Sequence, residues 1–172
     1  MTTDKYKHVK VIAFDVFNTV VDMTPLPRHE ISDYVRHTRT LPWSPLVLPE
    51  HWEHLAAHAD SIEGINRLRS KYIVVTCSNG PLGMLAKLSK NAGLQWDAII
   101  PLELGQAFKP RLESYKTVFE VLDVEPTEVM MVTANETFGD LKAAEIWGMV
   151  PMLIRSKSGP RTITDLADLL GC

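Results

Sequence analysis

Cysteine and long apolar runs are both scarce in this chain, and each shortage limits what the protein can be. Among its 172 residues only Cys77 and Cys172 are cysteines. Two cysteines, one of them the last residue, do not make the disulfide framework of a secreted domain, so we expect a reducing, cytoplasmic location. The apolar runs are only as long as strands, and residues 1–10 are mostly polar or charged, so we expect neither a membrane span nor a signal peptide.

Excess charge is also small, which argues against a polyanionic partner. The net charge is −3, whereas a nucleic-acid-binding chain would carry a strongly basic surface. Hydrophobic residues make up 45% of the chain, enough for one packed domain with at most a small insert. We therefore expect a small-molecule substrate and no nucleic-acid or membrane partner. The sequence leaves a homodimer open.

Apolar strand-length runs alternate with amphipathic helical patterns, which predicts an α/β fold with a parallel sheet covered by helices on both faces. The predicted strands lie at about 9–14, 72–77, 97–100, 129–133 and 150–154, and the predicted helices at about 61–70, 81–92, 111–122 and 139–147. Asp60 with Glu63 fits a capping box, and Thr164 is a candidate cap for a short terminal helix. Gly93 and Gly148 follow two helical patterns as predicted C-caps.

The segment 22–59 interrupts this alternation. It contains five prolines, a density that excludes one long helix. We predict a short helix at about 28–37, an irregular crossing at 40–49 and a helix at 50–59. The predicted organisation is a core domain of residues 1–21 and 60–172, with residues 22–59 as a small cap insert.

An acid is missing at one informative position. Asp15 follows the first predicted strand, at the edge where open α/β sheets place their chemistry, so it is a candidate nucleophile or metal ligand. Two residues later the chain has Phe17. It therefore lacks the acid-x-acid pair that a phosphate-transferring enzyme would use to protonate a leaving oxygen.

Three later segments add polar side chains at comparable positions. One strand pattern ends in the sequence S-N-G at 78–80, and another is followed by Asn135 and then Asp140. Between them, Lys109 precedes Pro110. The hydroxyls of Thr19 and Ser78 are suited to hold a carboxylate in an attack orientation. Asn79 is suited to donate a hydrogen bond to a substrate oxygen or a departing halide, and Lys109 to neutralise Asp15 and Asp140.

Together the four segments resemble the haloacid dehalogenase (HAD) superfamily, most closely its type II 2-haloacid dehalogenases. The resemblance covers residues 9–22 and roughly 60–160. It implies a Rossmann-like HAD fold, an aspartyl-ester intermediate and carbon–halogen hydrolysis without a cofactor. The catalytic residues that it implies are Asp15, Thr19, Ser78, Lys109, Asn135 and Asp140, and the substrate-binding residues are Phe17, Asn79 and Tyr115.

The chain departs from the family pattern in two ways. Asn18 replaces the usual glycine, although asparagine tolerates left-handed backbone angles. The cap is much shorter than in the family, and the arginine that grips the substrate there cannot be aligned. Arg28, Arg36 and Arg39 are candidates by location, and we expect small 2-haloacids to react slowly or not at all.

Two other functions stay open at this point. A magnesium-dependent phosphatase would hold Mg²⁺ with Asp15, Asp140 and the backbone oxygen of Phe17. A non-catalytic binding protein would have kept the fold and lost the activity. Metal dependence separates the two enzymes, and covalent labelling of Asp15 separates both from the binding protein.

Overall fold

A parallel four-stranded sheet forms the centre of the computed structural model, which describes residues 2–172. Its strands are β1 (Val11–Phe14), β2 (Ile73–Thr76), β3 (Val129–Thr133) and β4 (Val150–Leu153). Their order across the sheet is β2-β1-β3-β4. In the register of the sheet, Val11 lies between Ile73 on one side and Val129 on the other. The predicted parallel sheet is thus confirmed, with β1 in its interior.

Six α-helices connect and cover the strands. They are α1 (Arg28–Thr40), α2 (Ser61–Arg69), α3 (Leu82–Ala92), α4 (Leu112–Val121), α5 (Asp140–Trp147) and α6 (Ile163–Leu169). Short 3-10 helices occur at Thr2–Tyr6, Glu50–His54, Leu102–Leu104 and Pro126–Glu128.

Successive residues of the strands face opposite sides of the sheet, which creates two apolar cores. Ile12 and Phe14 point into one core, which also contains buried residues of α2, α3 and α6. Val11 and Ala13 point into the other, with buried residues of α4 and α5. The near-continuous apolar character of β1 follows from this double burial. Helices therefore cover both faces, as the sequence predicts.

The predicted strand at 97–100 is wrong. It makes only a single bridge, between Ala98 and Val75. Side chains replace the rest of the ladder, because the Asp97 carboxylate accepts from the Val74 amide at 2.8 Å and the Thr76 hydroxyl accepts from the Ile100 amide at 3.1 Å.

The predicted helix at 50–59 is also wrong, because only Glu50–His54 is helical, as a 3-10 turn. The chain then extends so that Ala57 pairs with Val21. The helix predicted at 28–37 exists and continues to Thr40.

Of the predicted helix caps, two are confirmed and two are wrong. Gly93 and Gly148 both end helices in the left-handed conformation, with φ of 74° and 79°. Asp60 makes no capping bond. Its carboxylate instead pairs with Arg155 at 3.0 Å and accepts from the Ile163 amide. The N-cap of α6 is Thr162, not Thr164.

Backbone hydrogen bonds join the two ends of the segment that the sequence predicts as an insert. The Asp22 amide donates to the Ala56 carbonyl, and the His58 amide donates to the Val20 carbonyl, each at 2.9 Å. These antiparallel bonds join the two ends of the segment 22–59, where the sequence predicts the boundaries of a cap.

Aromatic packing fixes α1 above the end of β1. The ring of Tyr34 lies 5.7 Å from that of Phe17 and 5.5 Å from that of Trp52, centroid to centroid. Trp52 is fully buried, and its indole N–H donates to Glu30 at 2.8 Å. At the other end of α1, Arg111 donates to the carbonyls of Thr38 and Leu41. Both ends of the helix are therefore held.

Among residues 2–172, no helix is long and apolar enough to cross a membrane.

Candidate active site

Asp15 lies directly after β1 and is only 6% exposed. Its Oδ2 accepts hydrogen bonds from the Thr19 hydroxyl at 2.8 Å and from the Asn135 amide at 2.7 Å. Its Oδ1 is 3.1 Å from the ammonium of Lys109. Three side chains from separate parts of the chain thus fix the position of one carboxylate.

Lys109 is a buried cation between two carboxylates. Its Nζ lies 3.1 Å from Asp15 and 3.0 Å from Asp140, and the side chain is 1% exposed. Asn79 fixes its backbone, because the Asn79 Oδ1 accepts from the Lys109 amide at 2.7 Å and the Asn79 Nδ2 donates to the Lys109 carbonyl at 2.9 Å. The peptide bond to Pro110 is cis.

Asp140 begins α5 and is completely buried. Besides Lys109, it accepts from the Tyr115 hydroxyl at 2.6 Å. Tyr115 is itself completely buried in the core beneath the sheet. Asp140 is therefore positioned from α4 as well as from Lys109.

Burial and neighbouring charge set the protonation of this cluster. Burial raises the pKa of Asp15, and the charge of Asp140 adds to this, while Lys109 opposes it. Burial alone would lower the pKa of Lys109, but the charges of Asp140 and Asp15 hold that pKa well above its ordinary value. Lys109 is therefore an ammonium throughout the physiological range.

Thr19 is itself held by contacts that no sequence pattern indicated. Its hydroxyl accepts from the Ala134 amide at 2.9 Å, so it can donate only to Asp15. Its carbonyl accepts from Arg155 at 3.0 Å, and Arg155 also pairs with Asp60. These contacts tie the loop after β1 to β3, to the start of α2 and to the loop that follows β4.

Three residues have contacts that differ from those expected. The Ser78 hydroxyl is buried and has no hydrogen-bond partner among the described residues, so it does not hold Asp15. Both ends of the Asn79 carboxamide bind the Lys109 backbone, so Asn79 positions Lys109. Its second N–H has no part in these bonds, and its contact with substrate stays a prediction. Tyr115 contacts Asp140 and does not line the cavity beside Asp15, so it is not a substrate contact.

A cavity of about 630 Å³ opens beside Asp15. Phe17, the expected substrate contact, lines it. So do Tyr34 and Phe138, which sequence reasoning missed. One face of α1 has an amphipathic pattern, formed by Ile31, Tyr34, Val35 and Thr38, and this pattern predicts that the face points inward. The pattern does not predict that the face lies next to Asp15.

Of the three candidate arginines, Arg39 is the one that lines this cavity. It donates to the Phe138 carbonyl at 2.7 Å, and its guanidinium carbon lies 4.9 Å from the centre of the Phe138 ring. Arg36 instead faces Asp33 at the surface, and Arg28 lies at the start of α1, away from the cavity.

The side chains around Asp15 offer Mg²⁺ two carboxylates, those of Asp15 and Asp140. The ammonium of Lys109 already lies 3.1 Å from the first and 3.0 Å from the second, and an amide N–H of Asn135 faces Asp15. Within residues 2–172, no three acidic, histidine or cysteine side chains cluster closely enough to hold a metal.

A loop that ends at Gly139 connects Asn135 to Asp140. Gly139 has φ of 130°, and a Cβ there would lie 2.6 Å from the Cβ of Pro110. The glycine thus allows the loop to approach the Lys109–Pro110 segment closely enough for Asp140 to reach Lys109.

Gly139→Ala should therefore destabilise the fold by roughly 1–3 kcal/mol, because it adds backbone strain and a clash. Gly83→Ala is the matched control, since no atom lies within 4 Å of a Cβ added there. We expect it to be neutral or slightly stabilising. Urea unfolding checks both variants, and equal free energies of unfolding would contradict this account of Gly139.

Comparison with known proteins agrees with this fold. No family model matches the chain. Over 60 residues, 34% of the chain, it is 47% identical to an (S)-2-haloacid dehalogenase of Xanthobacter autotrophicus, and the matched part spans 24% of that protein. A solved defluorinating L-2-haloacid dehalogenase shares the fold with a TM-score of 0.79 at 24% identity, covering 95% of this chain and 96% of the other.

A phosphatase also shares the fold. The HAD phosphatase of Thermococcus onnurineus superposes with a TM-score of 0.73 at 23% identity, covering 95% of this chain and 98% of that one. The architecture is thus common to dehalogenases and phosphatases. The chain therefore has the fold that these dehalogenases and this phosphatase share, and over 60 residues its sequence is similar to that of a 2-haloacid dehalogenase.

Proposed function

We propose that the protein is a hydrolase that cleaves the carbon–halogen bond of 2-haloacids through an ester of Asp15. A carboxylate oxygen of Asp15 forms a bond to C2 of the substrate as the C2–halogen bond breaks and the halide leaves with its electron pair. Water then attacks the ester carbonyl. This step releases the 2-hydroxyacid and a proton and restores the Asp15 carboxylate.

The observation that carries the proposal is the environment of Asp15. It is buried at the wall of a cavity and held by Lys109, Thr19 and Asn135. A hydrated carboxylate is a weak nucleophile, whereas one held in a dry, preorganised site attacks without first losing water. The site therefore supplies a positioned nucleophile, and Phe17 occupies the position of the acid that would protonate an alkoxide leaving group, which suits halide departure.

Hydrolysis of the ester uses the other charged groups. Water that attacks the ester carbonyl develops negative charge on oxygen, and the Lys109 ammonium already lies at the carboxyl group that becomes this ester. Asp140 keeps the ammonium in place, and the Asn135 amide is suited to orient water or hold the developing oxyanion. Thr19 positions the carboxylate throughout.

Arg39 is the proposed partner of the substrate carboxylate. It lines the cavity that contains Asp15, and only one of its nitrogens is engaged by a described residue. Its remaining N–H groups are available to a carboxylate. The contact with Phe138 already restricts the motion of the guanidinium, so substrate binding costs less conformational entropy at Arg39.

The magnesium-dependent phosphatase is the second candidate, because a phosphatase shares the fold. Two observations disfavour it. The Phe17 ring packs against Trp52 at 5.4 Å, in the place of the acid that would protonate a leaving oxygen. The Asn135 amide, rather than a further carboxylate, faces Asp15.

A halide- and phosphate-release screen decides between the functions. We expect bromide release from 2-bromo acids that persists in a chelator, with no phosphate release from phosphate monoesters. If a chelator abolishes the activity and Mg²⁺ restores it, the protein is a magnesium-dependent phosphatase. Neither release, together with an unmodified Asp15 after incubation with the substrates, would assign a non-catalytic binding protein.

The acid limb of turnover should lie at an unusually high pH for an aspartate. Asp15 must be ionised to attack, and burial raises its pKa above the ordinary 3.8. Activity is therefore lost as the pH falls through that raised pKa. At alkaline pH the raised pKa of Lys109 preserves its charge. Initial-rate kcat/KM across the acid range checks this, with circular dichroism to exclude unfolding, and an acid limb at or below 3.8 would contradict it.

We also propose a cytoplasmic location, since Cys77 and Cys172 are both free thiols. A homodimer stays a prediction, which sedimentation of the purified chain tests.

A further inference from the structure

One face of α1 carries two apolar residues followed by a cation. Ile31, Val35 and Arg39 are spaced four residues apart, so they lie along one side of the helix. All three line the cavity that contains Asp15. Eight residues of helix span about 12 Å along its axis. The helix therefore presents a long apolar strip that ends in a positive charge.

The cavity is larger than a short haloacid requires. Its volume is about 630 Å³, within the range of sites that hold ligands of drug size, roughly 300–1,000 Å³. A two- or three-carbon acid bound at Asp15 and Arg39 would leave much of this space to water. Met23 adds to the apolar wall formed by Ile31 and Val35, and all three side chains remain partly exposed beside the nucleophile.

We propose that this apolar wall, defined by Met23, Ile31 and Val35, is a subsite for the hydrocarbon chain of the substrate. This inference rests on the proposed function. The substrate class is then 2-haloacids with a chain of several methylenes, such as 2-bromohexanoate and 2-bromooctanoate. The carboxylate pairs with Arg39, C2 faces Asp15, and the chain lies along the wall. The bonds that form and break at C2 are those of the proposed reaction.

The charges of the cavity favour an apolar chain over a second polar group. Arg39 is its exposed cation, while Lys109 is already shared by Asp15 and Asp140. Glu136 also lines the cavity and would repel a second carboxylate or a phosphate on the substrate. The wall offers no charged partner for such a group, whereas burial of its apolar surface under a hydrocarbon chain is favourable.

Chain length should therefore raise affinity and kcat/KM. Burial of one methylene is worth roughly a two- to fourfold gain in binding, with the smaller value where the wall stays partly open. We expect kcat/KM to increase from 2-bromopropionate through 2-bromobutanoate and 2-bromohexanoate, and to level off once the wall is covered. A flat or falling series would overturn the subsite.

Val35→Thr tests the wall with little change of shape. The added hydroxyl makes the surface polar, so the ratio of kcat/KM for 2-bromohexanoate to kcat/KM for 2-bromopropionate should shrink roughly threefold or more. Val47→Thr is the matched control, because Val47 belongs to the same insert, is 87% exposed and does not line this cavity. Equal losses for both acids in Val35→Thr would mean general damage and would overturn the subsite.

Calorimetric binding of halogen-free acids separates this inference from the proposed function. Octanoate should bind the wild-type chain at least tenfold more tightly than butanoate, and Val35→Thr but not Val47→Thr should reduce that ratio. If this holds while no 2-bromo acid releases bromide, the subsite stands and the proposed dehalogenation fails. If bromide is released but octanoate and butanoate bind equally, the dehalogenation stands and the subsite is wrong.

Discussion

Replacement of Asp15 by Asn should reduce halide release by about 10⁴- to 10⁶-fold, the size of loss seen when a covalent nucleophile is removed. An amide is neutral, so it cannot displace halide and form the ester. Asn also retains the shape of the side chain, and its single oxygen can still accept from Lys109 on one side or from Thr19 on the other. The loss should therefore come from chemistry rather than from altered packing.

Isotope labelling shows whether Asp15 forms a bond to substrate. In a single turnover in heavy-oxygen water, the label should enter the Asp15 carboxylate, because water attacks the ester at the Asp15 carbonyl. Label in the product alone would indicate direct attack of water on C2. Asp33→Asn is the matched control, since this acid is 69% exposed and faces only Arg36 at the surface. Its turnover should equal that of the wild type.

The same substitution should not destabilise the fold at neutral pH. Burial raises the pKa of Asp15 in the folded state above its unfolded value, so the ionised carboxylate costs stability at any pH above that raised pKa. The cost disappears as the pH falls and the carboxyl group is protonated. The urea midpoint of Asp15→Asn should thus equal or exceed that of the wild type at neutral pH, as it does when strained catalytic groups are replaced.

The sequence predicted much of the charged cluster because the fold brings the ends of parallel strands to one edge. Asp15 follows β1 and Asn135 follows β3, and these strands are neighbours in the sheet. Two polar residues at those ends must then lie close together, whatever the intervening chain does. Lys109 and Asp140 were predicted from their resemblance to family motifs, since no local pattern placed them beside Asp15.

The remaining features depend on contacts that local patterns do not encode. Asn79 follows β2 as predicted, but its amide binds the Lys109 backbone thirty positions away. Tyr34 and Phe138 reach the cavity only because Trp52 packs below α1 and because Gly139 shapes the loop before α5. Arg155 supports Thr19 from 136 positions along the chain. Each of these is a tertiary contact between residues far apart in the sequence, and no periodic pattern reveals it.

Lys109→Met should cause the largest loss of stability of any substitution considered. It leaves Asp15 and Asp140 buried without a counter-ion, and removal of one partner from a buried ion pair costs about 3–5 kcal/mol. Methionine fills a similar volume, so a cavity contributes little. The penalty should be greatest at neutral pH and should shrink in acid. Without the cation, the already raised pKa of Asp15 increases further, and protonation of Asp15 relieves the repulsion.

Removal of a second charge should restore stability without restoring activity. In Lys109→Met with Asp140→Asn, only Asp15 keeps a buried charge, so we expect urea unfolding to recover a large part of the lost free energy. The double-mutant cycle then measures the coupling between Lys109 and Asp140 directly. Lys116→Met is the matched control, because its exposed pair with Glu120 at 3.9 Å is worth less than about 1 kcal/mol. If Lys109→Met were as mild as this control, or if the second substitution deepened the loss, the carboxylates would not depend on Lys109. The charge balance from which we infer the reactivity of Asp15 would then be wrong.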